Sequence, residues 1–341
     1  MAARTDKRKK SLFQTPRGLL ILLLGLLISI LLAWYFGSVR LSPKAFFSAL
    51  FGKNEDPTHT IILYSVRLPR ILACILAGGG LAISGVLLQT VTDNALAGPS
   101  LIGVNQGAGF FVVLLLVTAP SLHAWMPLVS FLGAFAVTCL ILLISHALGS
   151  AGNTFVLAGI ALGALFSAFI SFFTLWREDV MSSYHAFSVG SCANVTMREL
   201  LFPALMIGVG LCIALLFSSR INALVLGDLT ASSLGVSVRV VRLLAILCAS
   251  ACAAAVVSFA GLLGFVGLVI PNFARKLTGN HTAYLLGVST LMGAILVLLA
   301  DLLGRILIAP SEIPVGIMMA CIGAPFFLVV LLQKRYRGDV L

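Results

Sequence analysis

Long apolar runs separated by short charged or Gly- and Pro-rich breaks make up most of this chain. No Asp, Glu, Lys or Arg lies between Arg17 and Arg40, Arg70 and Asp93, Arg242 and Arg275, Lys276 and Asp301, or Glu312 and Lys334. Each such interval can hold a membrane-crossing helix, which needs about 20 apolar residues. The interval from Asn94 to Trp176 is also charge-free and long enough for three spans, divided at 120–127 and between Gly149 and Asn153. One more span at 200–217, and a division of 242–275 near Gly261, bring the expected total to ten. The pattern predicts an all-α, polytopic membrane protein with both termini on one side. It divides into a basic tail at 1–17, a transmembrane domain at 18–333 and a short tail at 334–341.

Composition points the same way. Of 341 residues, 60% are hydrophobic and 10% charged, where a soluble domain carries about 25% charged residues. Mean hydropathy is +1.13. In the ten-span topology, 14 of the 22 Lys and Arg but only four of the 11 acids fall on the side of the termini. The bias of Lys and Arg toward cytoplasmic segments therefore predicts N-in, C-in. The net charge of +11 reads as this topology signal together with attraction to anionic lipid headgroups, and nucleic acid is a poor alternative. The apolar run at 19–36 is too long for a signal-peptide core and no small-residue cleavage site follows, so it is expected to be the first span.

Candidate chemistry is sparse. Of the seven cysteines, Cys248 and Cys252 stand one helical turn apart, with no His or carboxylate in their span; they read as small apolar residues. The five histidines lack metal-ligand spacing, so no metal site is expected. Gly52-Lys53-Asn54, the nearest approach to a phosphate loop, lacks the hydroxyl residue and the upstream glycine. ATP would have to be bound by another polypeptide. Asp301 is the acid that falls inside an extended apolar run, with Arg305 on the same helix face four residues on. An ion-coupled secondary transporter would carry more intramembrane acids than this, and an intramembrane enzyme would need a polar catalytic set at matched depth.

Two spans are rich in small residues, which let helix backbones approach closely. Arg67-Leu-Pro-Arg70 opens the first, with Gly78, Gly79, Gly80 and Gly85; Arg239-Val-Val-Arg242 opens the second, with Ala249 and Ala253 to Ala255. They would enter from opposite sides, the relation of an inverted repeat, although generic helix packing gives the same composition. Between spans, Gly227-Asp-Leu-Thr-Ala-Ser-Ser-Leu-Gly-Val236 is bracketed by Asp228 as N-cap and Gly235 as C′ glycine. A helix of about two turns is not stable alone, so a partner surface is expected to hold it.

Four patches between Gly261 and Phe327 break the lipid-like pattern: GLLGFVGLVIPNFAR, ADLLGR, PSEIPVG and IGAPFF. Gly and Pro at membrane depth are tolerated only against neighbouring helices or a cavity. Asn94, Pro99 and Gly103 likewise interrupt and restart a helix after the Ala82-to-Gln89 run. Together with Arg67-Leu-Pro-Arg70, these segments resemble the FecCD-type permeases, membrane subunits of ABC importers for iron-siderophores, haem and cobalamin. The resemblance spans about 67–332.

That resemblance implies a type II importer permease in the bacterial cytoplasmic membrane, with inverted-repeat halves and no chemistry or cofactor of its own. Its implied partners are a second permease chain, identical or related, two cytoplasmic ATPase subunits carrying ATP and Mg, and an extracytoplasmic substrate-binding protein. A ferric siderophore is the first choice of cargo, with haem or cobalamin as alternatives. The segment 227–238, with Asp228, Ala231, Leu234, Gly235 and Val236, would couple to the ATPase. Arg67, Arg70 and Arg305 would meet acidic groups on the binding protein, unless Asp301 and Arg305 simply neutralise a span end. The fifth and tenth spans, 154–175 and 313–332, would line the pathway, with Gly149 and Asn153 near an inner gate. Structural or pathway roles fall to Gly264, Gly267, Pro271, Asn272, Glu312, Pro314, Gly316, Gly323 and Pro325. Asn272 stands where the family usually has His, and Phe187 where Trp is common. Phe166, Phe169, Phe172 and Phe173 are expected to pack or face lipid.

Overall fold

The computed structural model describes residues 13, 15–39, 42–50, 57–100, 103–147 and 153–336, and every α-helix boundary below refers to these. The basic tails lie largely outside them. Among the described residues, seven helices meet the length and apolarity needed to cross a membrane: α1 (Pro16–Tyr35), α4 (Leu68–Val91), α6 (Met126–Ala147), α7 (Asn153–Trp176), α9 (Met197–Leu216), α12 (Val238–Ala260) and α14 (Thr282–Leu307). The other three expected spans correspond to three further helices. These are the short α5 (Val104–Thr118) and α13 (Val266–Thr278) and the 22-residue α15 (Val315–Tyr336), whose apolar run extends to Leu332. At 1.5 Å per residue the 13-residue α13 reaches only about 20 Å, because its interval spends residues on a non-helical stretch from Gly261 to Gly264.

Short helices that the apolar pattern does not mark occupy the connections: α2 (Pro43–Leu50), α3 (Pro57–Ile61), α8 (Glu178–Val189), α10 (Ser218–Leu224) and α11 (Asp228–Ser233). A π-helical turn at Ile62–Arg67 runs directly into α4. Pro69 explains it: the ring has no N–H and crowds the carbonyl four residues back, and a wider turn removes the clash.

The two small-residue helices, α4 and α12, form the centre, and most of their side chains are buried. They run antiparallel, since Arg242 in the first turn of α12 donates to the Val91 carbonyl at the last residue of α4. That is the relation an inverted repeat requires. Glycines set the spacing of α4 from its neighbours. A Cβ on Gly78 would enter the backbone of α14 at Gly293, and one on Gly85 would enter the backbone of α13 at Gly267. At such closeness the helices gain dispersion contact that larger residues would forbid. The outer helices α1, α7 and α9 keep broad uncovered apolar faces, Leu157, Phe172 and Leu201 among them.

Candidate functional site

Polar groups gather at the two ends of α4. At its first turn, the Arg70 Nε lies 3.0 Å from both Asp301 oxygens and Nη2 donates to Oδ1 at 2.9 Å. Arg70 Nη1 donates to Glu312 Oε2 at 2.6 Å. Asp301 also faces Arg305, whose Nε is 3.0 Å from Oδ2. Arg67 turns the other way and donates to the carbonyls of Trp34, Tyr35 and Val39. Arg305 Nη1 makes longer bonds to the carbonyls of Ala33 and Phe36. Arg67 and Arg305 thus supply donors to the carbonyls that α1 leaves open at its C-terminal end, where a cation is favoured.

The five charges hold together four segments: α1, α4, α14 and the connection before α15. Arg67, Arg70 and Arg305 are 4%, 7% and 2% exposed and Asp301 is 0%. The geometry gives these arginines partners within the chain, in place of the exposed rim positions expected of docking groups. Burial of this kind is tolerable only where each charge is paired or hydrogen-bonded, and Arg67 relies on carbonyls alone. Glu312 lies at the open edge of the cluster. Burial raises its carboxyl, but the hydrogen bond and charge of Arg70 outweigh that and hold it below the usual carboxylate range.

At the far end of α4, the segment 227–236 forms the short helix α11. Gly227 takes the N-cap position, so Asp228 is the first helical residue and not the cap expected from the sequence. Its carboxylate instead accepts from Arg242 Nη2 at 2.9 Å. Gly235, with φ +78°, closes the helix as expected. Val236 N donates to Ala231 O and Gly235 N to Ser232 O, each at 3.0 Å. Ala231 anchors the turn at 0% exposure, whereas Leu229 is 90%, Leu234 63% and Leu226 62% exposed. With Val225 and Val240 they form an uncovered apolar ledge.

A second network at this end holds the turn between α4 and α5. Pro271 provides no N–H for Gly267 O, four residues earlier in α13. Gln89 of α4 offers its Nε2 to Gly267 O at 3.4 Å and to Leu268 O at 3.3 Å. Arg275 Nη1 donates to Gln89 Oε1 at 3.2 Å. Asn272 Nδ2 donates at 2.8 Å to both Ala95 O and Leu268 O. Asn94 closes its own turn by accepting from Leu96 N.

The profile of the FecCD transport family matches residues 24–333. The chain belongs to the FecCD transport family. It is 34% identical to the Fe(3+)-citrate import system permease protein YfmE of Bacillus subtilis over 332 residues, 97% of this chain and 98% of that one. It is also 34% identical to the hemin transport system permease protein HmuU of Yersinia pestis, covering 92% and 96% respectively. Among solved structures, the inward-facing conformation of a putative metal-chelate type ABC transporter superimposes with a TM-score of 0.84 at 33% identity, covering 94% of this chain and all of that one.

In this FecCD chain Asn272 acts as a hydrogen-bond donor that ties α13 to the 93–100 turn, a task that needs no imidazole. Pro99 packs on Gly267, and Gly103 with φ +79° opens α5. Phe187 is buried, and its carbonyl accepts from Leu262 N. Gly316 N donates to Gly190 O, so the end of α8, the turn after α12 and the start of α15 meet at one junction. Pro314 O accepts from Ile317 N and Met318 N to start α15, Gly323 abuts Phe265, and Pro325 lies within α15. Gly264 has open space beside it. Gly149 lies outside the described residues, and Asn153 opens α7 with its side chain undescribed. Cys248 and Cys252 are buried as expected, Cys74 and Cys192 are buried too, and Cys212 and Cys321 are exposed on helix faces. Gln89, Arg242, Arg275 and Asn222 were not singled out as site residues from the sequence. Asn222 accepts from Thr282 N and Oγ1, capping α14 from another helix.

Proposed function

We propose that this chain is the permease subunit of an ATP-driven importer of a ferric chelate, with a ferric siderophore or ferric citrate as cargo. The observation that carries the coupling half of this proposal is the ledge of Val225, Leu226, Leu229, Leu234 and Val240, uncovered around a helix too short to hold itself. Contiguous exposed apolar surface of this kind marks an interaction site, and the occupant we assign is a cytoplasmic ATPase subunit. The Lys and Arg bias supports an inside position for this end. Closure of two ATPase subunits on ATP would move the ledge, and a pair of permease chains would rock to alternate access.

The opposite end faces the binding protein in this scheme. Its buried arginines shape that face from within by fixing the ends of α1, α4 and α14, while the Glu312 edge is open to contact. The cargo route lies along the uncovered faces of α7 and α15 between two permease chains. Asp301 is saturated by Arg70 and Arg305, which suits a structural charge better than a proton or sodium carrier. A relative named for hemin transport makes haem the second cargo to try.

Leu229→Asp, placed on the exposed ledge, tests the assignment. Co-purification of the ATPase with the membrane-inserted permease should fall at least about tenfold, since a charge would be desolvated in the contact. Undiminished co-purification would remove the ledge as the ATPase site.

A further inference from the structure

Arg242 joins two parts of the molecule that an energy-coupled permease must connect. Its Nη2 donates to Asp228 Oδ1 at 2.9 Å, and its Nε donates to Val91 O at 3.1 Å. Asp228 opens α11, and Val91 ends α4. The chain turns away at Asp93, where φ is +48°; Leu88 O and Gln89 O still accept from Thr92 N and Asn94 N, and Val91 O, at the last residue, lies beyond the helical ladder. A guanidinium there gains from the negative end of the helix dipole, and its planar fork can serve two acceptors at once. The α11 helix has one buried side chain, Ala231, so Arg242 is a large share of its hold on the bundle.

On the other side of this link, α4 is built to move as one body with its neighbours. It contacts α14 at Gly78 and Gly293 and α13 at Gly85 and Gly267, backbone against backbone. Near the other end of this 24-residue helix is the Arg70 clasp on Asp301 and Glu312. Other connections leave this region as well, since α10 packs on α4, α12 and α14, and α12 packs along α4. The peptide from Leu234 to Ser237 leads into α12 through exposed Gly235, and Asn222 of α10 reaches α14. Among the described residues, Arg242 of α12 is the side chain that bonds both α11 and the end of α4.

We infer that Arg242 is a positioning residue that carries displacement of α11 to α4, and so to the charged cluster at the far end. This rests on the ledge around α11 being the ATPase contact. The experiment therefore reads both ends of the link and does not depend on the cargo. In the assembled permease and ATPase, with Cys212 and Cys321 replaced by Ser, a spin label is placed at Ser233→Cys on α11 or at Ile61→Cys, before the charged end of α4. Each label is read with and without ATP and vanadate. Both should respond in the otherwise native chain. In Arg242→Gln the α11 response should persist while the Ile61 response falls roughly fivefold or more, the scale of an ordinary coupling between sites. Arg242→Lys, a point charge that satisfies one acceptor at a time, should restore part of it.

A native-sized Ile61 response in Arg242→Gln would overturn the inference, as would loss of the α11 response in that variant, which would make Arg242 a docking residue. An Ile61 label silent in the native chain beside a responsive α11 would overturn it too. Silence at α11 in the native chain would instead sink the ledge assignment on which it rests. Should Arg242→Gln fail to assemble, Asp228→Ala, which removes the acceptor, cuts the same link from its exposed side, with the same expectations.

Discussion

At the residue scale, the charged end of α4 depends on one carboxylate. Asp301 faces two buried guanidiniums, and removing it leaves Arg70 with Glu312 alone and Arg305 with no carboxylate. Asp301→Ala should lower stability by about 3–5 kcal/mol, the cost of breaking a buried ion pair, read as thermal unfolding in detergent. An unchanged midpoint would mean that the cluster is solvated in the folded protein. Glu312 supplies a pH test. Its folded carboxyl titrates below the usual range, so its contribution is present above the unfolded carboxylate pKa and is lost as pH falls through the depressed value. The stability gap between the native chain and Glu312→Gln should therefore hold at neutral pH and close in acid. A gap that widened on acidification would reverse the sign. Sequence made only part of this cluster legible. The Asp301 and Arg305 pairing follows from helical spacing, whereas Arg70 meets Asp301 across 231 positions, which spacing cannot reveal. Gln89 could have been found by asking which donor serves the carbonyl that Pro271 leaves open.

At the element scale, the apolar runs located the long helices because charge is excluded from them. They did not mark α2, α3, α8, α10 or α11 as helices of a given length, since short interfacial helices owe their formation to neighbours. The α8 helix did leave a trace in Glu178 and Asp179 in its first turn and Gly190 at its end, where φ is +73°. The bracket around α11 was legible from Gly235, but Asp228 is drawn to Arg242 and so gives up the capping position to Gly227. Small residues in α4 announced close packing without naming its partners. Those partners are Gly293 and Gly267, and the contact makes a direct prediction. Gly78→Val puts branched carbons into the α14 backbone and should abolish stable insertion or leave an aggregating protein. Gly208→Val, whose Cβ has open space around it, should insert normally. Equal behaviour of the two variants, seen by fluorescence-detected size exclusion, would mean that α4 and α14 do not meet as described.

At the scale of the whole molecule, the fold is a bundle with distinct ends. One end is clamped by buried charge, and the other carries an apolar ledge on a helix that needs a partner. A single rigid helix runs between them. The most direct measurement is uptake of radiolabelled iron as ferric citrate or a ferric hydroxamate into proteoliposomes that contain this permease and its ATPase. The binding protein is supplied on the opposite side and ATP on the ATPase side. Accumulation that requires ATP, and that Leu229→Asp abolishes while the permease stays inserted, is the expected result. Accumulation driven by a proton or sodium gradient with no ATPase present would contradict an ATP-driven importer, and failure to accumulate either ferric chelate would contradict the cargo.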